Sequence, residues 1–164
     1  MPILSVGRAS RGQNGVTLIE MMIVVAIVGL IAGVSFPAVS SGLDTIRLIS
    51  ASDSLVSFFN GALNRAERRQ EAIEITVASK ANTLVLHSTE PGFERKLEMP
   101  AGVTIEAVLP PLPEETDGPR RFIVLPSATI PRIGIQIVNR KGTRRIVRLD
   151  PLTGVPQIET PQTP

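Results

Sequence analysis

The chain has 164 residues, a formal charge of +2 and no cysteine. One modest domain with an appendage fits that length and two independent domains do not, while the missing thiols exclude disulfides, thiolate chemistry and cysteine-ligated metal. The sequence pI of about 9.7 is weak support for a nucleic-acid binder, because one histidine and no tyrosine or cysteine buffer the middle of the pH scale.

Arg8 and Arg11 precede a run from Met21 to Leu43 that carries no charge. A bilayer core of about 30 Å needs roughly 20 helical residues, so this run can span a membrane. The arginine bias puts the N-terminus in the cytoplasm and the remainder outside. Glu20 is the anomaly, since an acidic residue at the centre of a spanning helix costs roughly 2.5 to 3.5 kcal/mol.

The residues leave three readings open. A secretory signal would use small residues at Ala38 and Ser40 for cleavage, but Glu20 interrupts it and it would be about 40 residues, longer than the usual 15 to 30. A plain anchor would make Glu20 part of a capping box, Thr17-Leu18-Ile19-Glu20, at the positive end of the helix dipole. The third reading rests on Gly15 followed by Val16-Thr17-Leu18-Ile19-Glu20, with a basic polar leader before and an apolar helix after. This pattern resembles the type IV prepilin signal, in which glycine is followed by Phe-Thr-Leu-Ile-Glu.

The resemblance implies cleavage between Gly15 and Val16 by a membrane prepilin peptidase, and N-terminal methylation of Val16, which departs from the family's phenylalanine. It also implies that Glu20 pairs with the N-terminal amine of a neighbouring subunit during assembly. Removal of the first 15 residues takes Arg8 and Arg11 with it, leaving 15 basic side chains against 15 acidic ones.

Gly33 and Pro37 can loosen the helix, since proline removes a donor and clashes with the preceding turn. Beyond them Val39, Leu43, Ile46, Ile49, Val56, Phe59, Leu63 and Ala66 recur mostly at three- and four-residue steps, with charged residues between, which predicts an amphipathic continuation. A single helix from Thr17 to Gln70 would be roughly 80 Å long.

After Ala72 the period becomes two. Ile73, Ile75 and Val77 alternate with polar residues, Lys80-Ala81-Asn82 reads as a turn, and Leu84 to Leu86 follows as a strand. Further strands are expected at Phe93 to Glu98, Val103 to Val108, Arg121 to Leu125, Ile133 to Arg140, Thr143 to Leu149 and Val155 to Ile158. A three-residue loop Lys141 to Thr143 would set Ile137 against Val147 and Ile135 against Leu149. The proline-rich stretch Leu109 to Pro119 reads as an exposed loop.

The expected fold class is therefore α+β and pilin-like, a long N-terminal helix with a membrane-spanning half and an amphipathic half packed on an antiparallel β-sheet head. The expected organisation is a leader over 1–15, a transmembrane segment over 16–39, an amphipathic continuation over 40–72, a periplasmic β-rich domain over 73–159 and a tail over 160–164. The head resembles the minor pseudopilins of type II secretion, GspH-like or FimT-like, through Asn64-Arg65-Ala66-Glu67, the Phe122 to Pro126 strand, Arg145 to Leu149 and Leu152-Thr153-Gly154. A major pseudopilin fits less well, since its aromatic C-terminal loop has no counterpart in a chain without Tyr or Trp.

Catalytic chemistry finds no support. His87 is the sole histidine and sits at a strand end, and no phosphate loop, nucleophile elbow or HExxH pattern occurs. No cofactor or metal is expected; Glu114, Glu115 and Asp117 read as solvated acids, with calcium the lesser alternative.

Charge is segregated. Gly118 to Leu149 holds Arg120, Arg121, Arg132, Arg140, Lys141, Arg144, Arg145 and Arg148 without an acid, whereas nine acids oppose three bases between Glu71 and Asp117. The blocks either neutralise each other across the sheet or leave Arg140, Lys141, Arg144, Arg145 and Arg148 to contact an acidic pseudopilin or DNA phosphates. With no aromatic residue in the hairpin to stack bases, DNA is the less favoured of these contacts.

The resulting expectation is a non-enzymatic, single-pass subunit of the bacterial inner membrane, with its N-terminus cytoplasmic and its head periplasmic. Its partners would be the prepilin peptidase and other pseudopilins or pilins. Its role would be to assemble into or initiate a pilus-like filament for type II secretion. The alternative is a minor type IV pilin for pilus assembly, adhesion or DNA uptake.

Overall fold

The computed structural model describes residues 16–89, 92–112, 118–127 and 130–161. One helix and eight strands make up the described residues: α1 (Leu18–Arg69), β1 (Ile73–Ala78), β2 (Thr83–Ser88), β3 (Glu94–Glu98), β4 (Val103–Leu109), β5 (Arg120–Val124), β6 (Gly134–Asn139), β7 (Arg144–Leu149) and β8 (Pro156–Glu159). The chain divides into two compact units, Met1–Val39 and Ser40–Pro164. The architecture is the expected α+β, pilin-like one, an apolar N-terminal helix and a long helix packed against antiparallel strands.

α1 begins where the Thr17 hydroxyl accepts the Glu20 backbone N–H at 3.3 Å, which satisfies one of the orphan amides of the first turn. It ends at Gln70, whose φ of 55° is the left-handed conformation that closes many helices. Through Pro37 the helix is continuous.

The helix face that enters the core differs from the expected stripe. Leu48, Ala51, Ser52, Leu55, Phe58, Phe59, Ala62 and Ala66 are buried, whereas Leu43, Ile46 and Ile49 are exposed. Phe58 and Phe59 fill the depth between helix and strands, their rings edge to face at 6.4 Å, with Ala51, Ser52, Ala62 and Ala66 buried on the same face. Volume, not only hydrophobicity, sets which face packs.

The strands form two antiparallel four-stranded sheets, β3-β2-β1-β5 and β4-β6-β7-β8, rather than one. Each is a meander that has exchanged a strand with the other: β4 leaves the first for the second, and β5 returns. Ile73, Ile75, Val77, Leu84 and Leu86 from the first sheet and Val103, Ile105, Val108, Ile135, Ile137, Val147 and Leu149 from the second join the helix face in one apolar cluster. Full burial of each such side chain contributes about 1.5 to 3 kcal/mol.

Two side chains bridge the exchange. Asn82, in the β1–β2 turn, donates from Nδ2 to the Val103 carbonyl at 2.8 Å and accepts the Ile105 N–H on Oδ1 at 2.7 Å, so it pairs with β4 as a neighbouring strand would. Arg120, at the start of β5, donates to the carbonyls of Val108 and Pro110 at the end of β4.

The β6–β7 hairpin has the expected loop length in a different place. Ile135 faces Val147 and Ile137 faces Arg145, two residues away from the expected pairing, because the loop is Arg140-Lys141-Gly142. Gly142 takes a φ of 79° and donates to the Asn139 carbonyl at 3.0 Å, while the Asn139 N–H donates to Thr143 at 3.0 Å. This is a type I turn closed by a left-handed glycine bulge. The Asn139 carboxamide adds bonds from the Lys141 and Thr143 amides. An even shift keeps every side chain on its expected face.

At the C-terminal end of α1, the Arg65 guanidinium carbon stands 3.6 Å from the centroid of the Phe93 ring and its Nε lies against the carboxylate of Glu71, whose side chain is only 4% exposed. The pair is a charge contact without hydrogen-bond alignment. Arg65→Ala strands the Glu71 charge in the interior and is expected to cost about 3 kcal/mol. Glu71→Gln in the same chain is expected to recover part of that loss in urea denaturation of the detergent-solubilised protein. Equal stability of Arg65→Ala and wild type would show that the contact contributes nothing.

Candidate assembly site

The first described residues hold the candidate site. Val16 is 60% exposed, and large apolar side chains from Leu18 to Val34 are exposed around the helix. Leu18–Ser35 has a mean hydropathy of 2.5, none of it buried within the chain, and is long and apolar enough to cross a membrane. A helix apolar on all sides is stable only among lipid tails or other helices.

Glu20 sits in the first turn of this band. Its backbone N–H is taken by Thr17, but among the described residues its carboxylate has no hydrogen-bonding or ionic partner. The described residues therefore leave the Glu20 carboxylate unmatched. Gly15, Arg8 and Arg11 lie outside the described residues, so the cleavage junction is described on its Val16 side alone.

Residues 10–36 match the family model of the prokaryotic N-terminal methylation motif. The match supports a type IV pilin-like protein. The motif implies processing by prepilin peptidase and assembly with other pilins, in a family that is structural rather than enzymatic. Together with the apolar helix, it fits an inner-membrane-anchored pilin. Neither a curated protein nor a solved structure shows significant similarity to the chain.

The basic hairpin is partly neutralised. Arg144 grips Glu106 in a fork, Nε to Oε2 and Nη2 to Oε1 both at 2.7 Å, and Gln136 donates to the same carboxylate at 2.7 Å. Alternation already faces Glu106 outward, and a bulge in β4 follows it: pairing with β6 skips from Ile105 to Ala107, so that Val108 rather than Ala107 returns to the core. Arg148 stands 3.7 Å from Glu159 and Arg121 3.6 Å from Glu74. Arg140 is exposed beside Gly102, Lys141 is exposed on the loop, and Arg145 is half-buried opposite Ile137.

His87 is exposed on β2 between Glu74 and Glu94 on the neighbouring strands. Among the described residues no group of His, Asp and Glu is arranged to hold a metal ion. Glu114, Glu115 and Asp117 lie outside them. The Arg65–Glu71 contact escaped the sequence reading, which placed Arg65, Arg68 and Arg69 on the water-facing side of the helix; Arg68 and Arg69 are exposed there.

The Arg144 fork, then the Gln136 amide, hold the Glu106 carboxyl below its ordinary value. A carboxyl lowered in the folded state stabilises the fold above its unfolded value, about 4.3, and that contribution is lost as pH falls through the lower folded value. The backbone amides of Leu152 and Thr153 lower Asp150 in the same direction. Acidification from pH 6 to pH 3 is expected to lower the Tm of the wild type more than that of Glu106→Gln. Parallel pH profiles would show that the fork does not couple to folding.

Proposed function

We propose that the chain is a minor pseudopilin, GspH-like or FimT-like, that assembles into or initiates a pilus-like filament for type II protein secretion. The observation that carries this reading is the Glu20 carboxylate, without a partner among the described residues, in the first turn of an exposed apolar helix, five residues beyond Gly15. After cleavage between Gly15 and Val16, with methylation at Val16, the new ammonium of one subunit meets Glu20 of its neighbour. Each charge alone is costly out of water, and together they offset each other's desolvation.

In this reading the N-terminus starts in the cytoplasm, the helix crosses the inner membrane once, and the β-rich head stands in the periplasm and selects neighbours. The hairpin supports a protein contact better than DNA capture. Arg144 is committed to Glu106, Arg148 stands near Glu159, and the loop residues Arg140, Lys141 and Gly142 bring no aromatic platform for bases.

Glu20→Ala is expected to insert into the membrane at wild-type levels and to lower cross-linked assembly with the other filament subunits at least tenfold, the equivalent of about 1.4 kcal/mol. Wild-type cross-linking of a correctly inserted Glu20→Ala chain would overturn the pairing.

A further inference from the structure

α1 and the edge strand β3 enclose a gutter along one side of the Ser40–Pro164 unit. β3 pairs with β2 on one side and stands at the end of its sheet. Its odd-numbered residues turn toward the helix: Phe93 packs on Arg65, Arg95 reaches Gly61, and Leu97 lines a recess with Ile46 and Ile49. Its even-numbered residues face away, Lys96 and Glu98 pairing at 2.6 Å.

Two open recesses of about 410 and 470 Å³ follow this line. From Ile46 to Arg69 they span about 35 Å of helix, room for about ten residues of extended chain.

The two ends differ in chemistry. One end carries exposed apolar side chains, Ile46 at 62% and Ile49 at 38% beside Leu97, with Ser50, Ser54 and Ser57 among them. The other is cationic: Arg65 is balanced by Glu71, while Arg68 and Arg69 are exposed without an acidic partner among the described residues, and Arg95, which lines the first recess, reaches Gly61 at the edge of the second. Asp53 is the one acid lining the recesses, and it lies in the apolar half.

We propose that this gutter docks an extended segment of a partner polypeptide, apolar at one end and acidic at the other, added as a strand to the free edge of β3. The unpaired edge supplies main-chain hydrogen bonds, and alternate side chains of the added strand enter the gutter. Carboxylates meet Arg68, Arg69 and Arg95, and aliphatic side chains cover Ile46 and Ile49. Nucleic acid fits less well. Arg65 covers a face of Phe93, so that face offers no stacking platform, and the apolar end has nothing for a phosphodiester. The chemistry lies wholly within the Ser40–Pro164 unit and does not depend on how the N-terminus is processed.

The test titrates the full chain in neutral detergent against a fluorescent peptide of sequence Ile-Val-Ile-Ser-Glu-Glu-Asp-Glu. A peptide with lysines for its acids and a DNA duplex of equal charge serve as competitors. Binding to the acidic peptide is expected to weaken at least tenfold in Arg68→Glu with Arg69→Glu. A similar loss is expected in Gly61→Leu, which fills the gutter midway where an added Cβ already stands 3.0 Å from Arg95 Nη1. That change also favours the helix and reverses no charge, so it reads blockage of the gutter together with displacement of the Arg95 guanidinium.

No binding of the acidic peptide at millimolar concentration, equal binding by Gly61→Leu, or equal displacement by the lysine peptide would overturn the proposal. Preferential displacement by the duplex would assign the cationic end to nucleic acid instead.

Discussion

A carboxylate in the first turn of an apolar helix is the constraint on which the account rests. Among the described residues Glu20 has no partner, and the side chains that follow it offer none, since the band is aliphatic on all sides. The nearest local compensation, the Thr17 cap, serves the backbone and leaves the carboxylate untouched. A group in that position is either held at the lipid boundary or matched by a cation from another molecule. The second solution links the cost of burying the charge to assembly, so the feature that destabilises a solitary chain becomes the one that selects an associated state.

The Ser40–Pro164 unit solves a different problem, closing a core with few aromatics. Aliphatic strands supply most of the area, and Leu48, Leu55, Phe58 and Phe59 supply the helix side. Exchange of β4 and β5 between two meanders makes each sheet depend on the other, and Asn82 and Arg120 seal the crossing with side-chain bonds to β4 backbone that would otherwise lack partners. The last turn before β8 follows the same economy of local bonding. Asp150 accepts the Leu152 and Thr153 amides, and Gly154, at a φ of 71°, passes where any Cβ would lie 2.7 Å from Ile130.

Local patterns were legible because their physics is local. Alternation located all eight strands to within a residue or two, and the polar cap before an apolar run marked the start of the helix. Ile46 and Ile49 misled because the buried face runs through Leu48, Ala51, Ser52 and Leu55, and its small residues are underweighted in a hydrophobic stripe. The hairpin register was within reach: a glycine closing a three-residue loop places the loop at Arg140 to Gly142. The Glu106 bulge also left a trace, since the inward residues Val103 and Ile105 are followed by Val108, a change of parity. The two-sheet split left none, because strand exchange depends on pairings between distant segments. The Arg65–Glu71–Phe93 contact likewise joins three elements that no periodicity brings together.

The most direct measurement is the N-terminal sequence and intact mass of the protein purified from its native membrane. The account predicts a chain that starts at Val16 and is heavier by one methyl group, with the apolar helix retained. A chain that starts at Met1 or beyond Ser40 would contradict it, leaving Glu20 as a helix cap in a plain anchor or as part of a discarded signal.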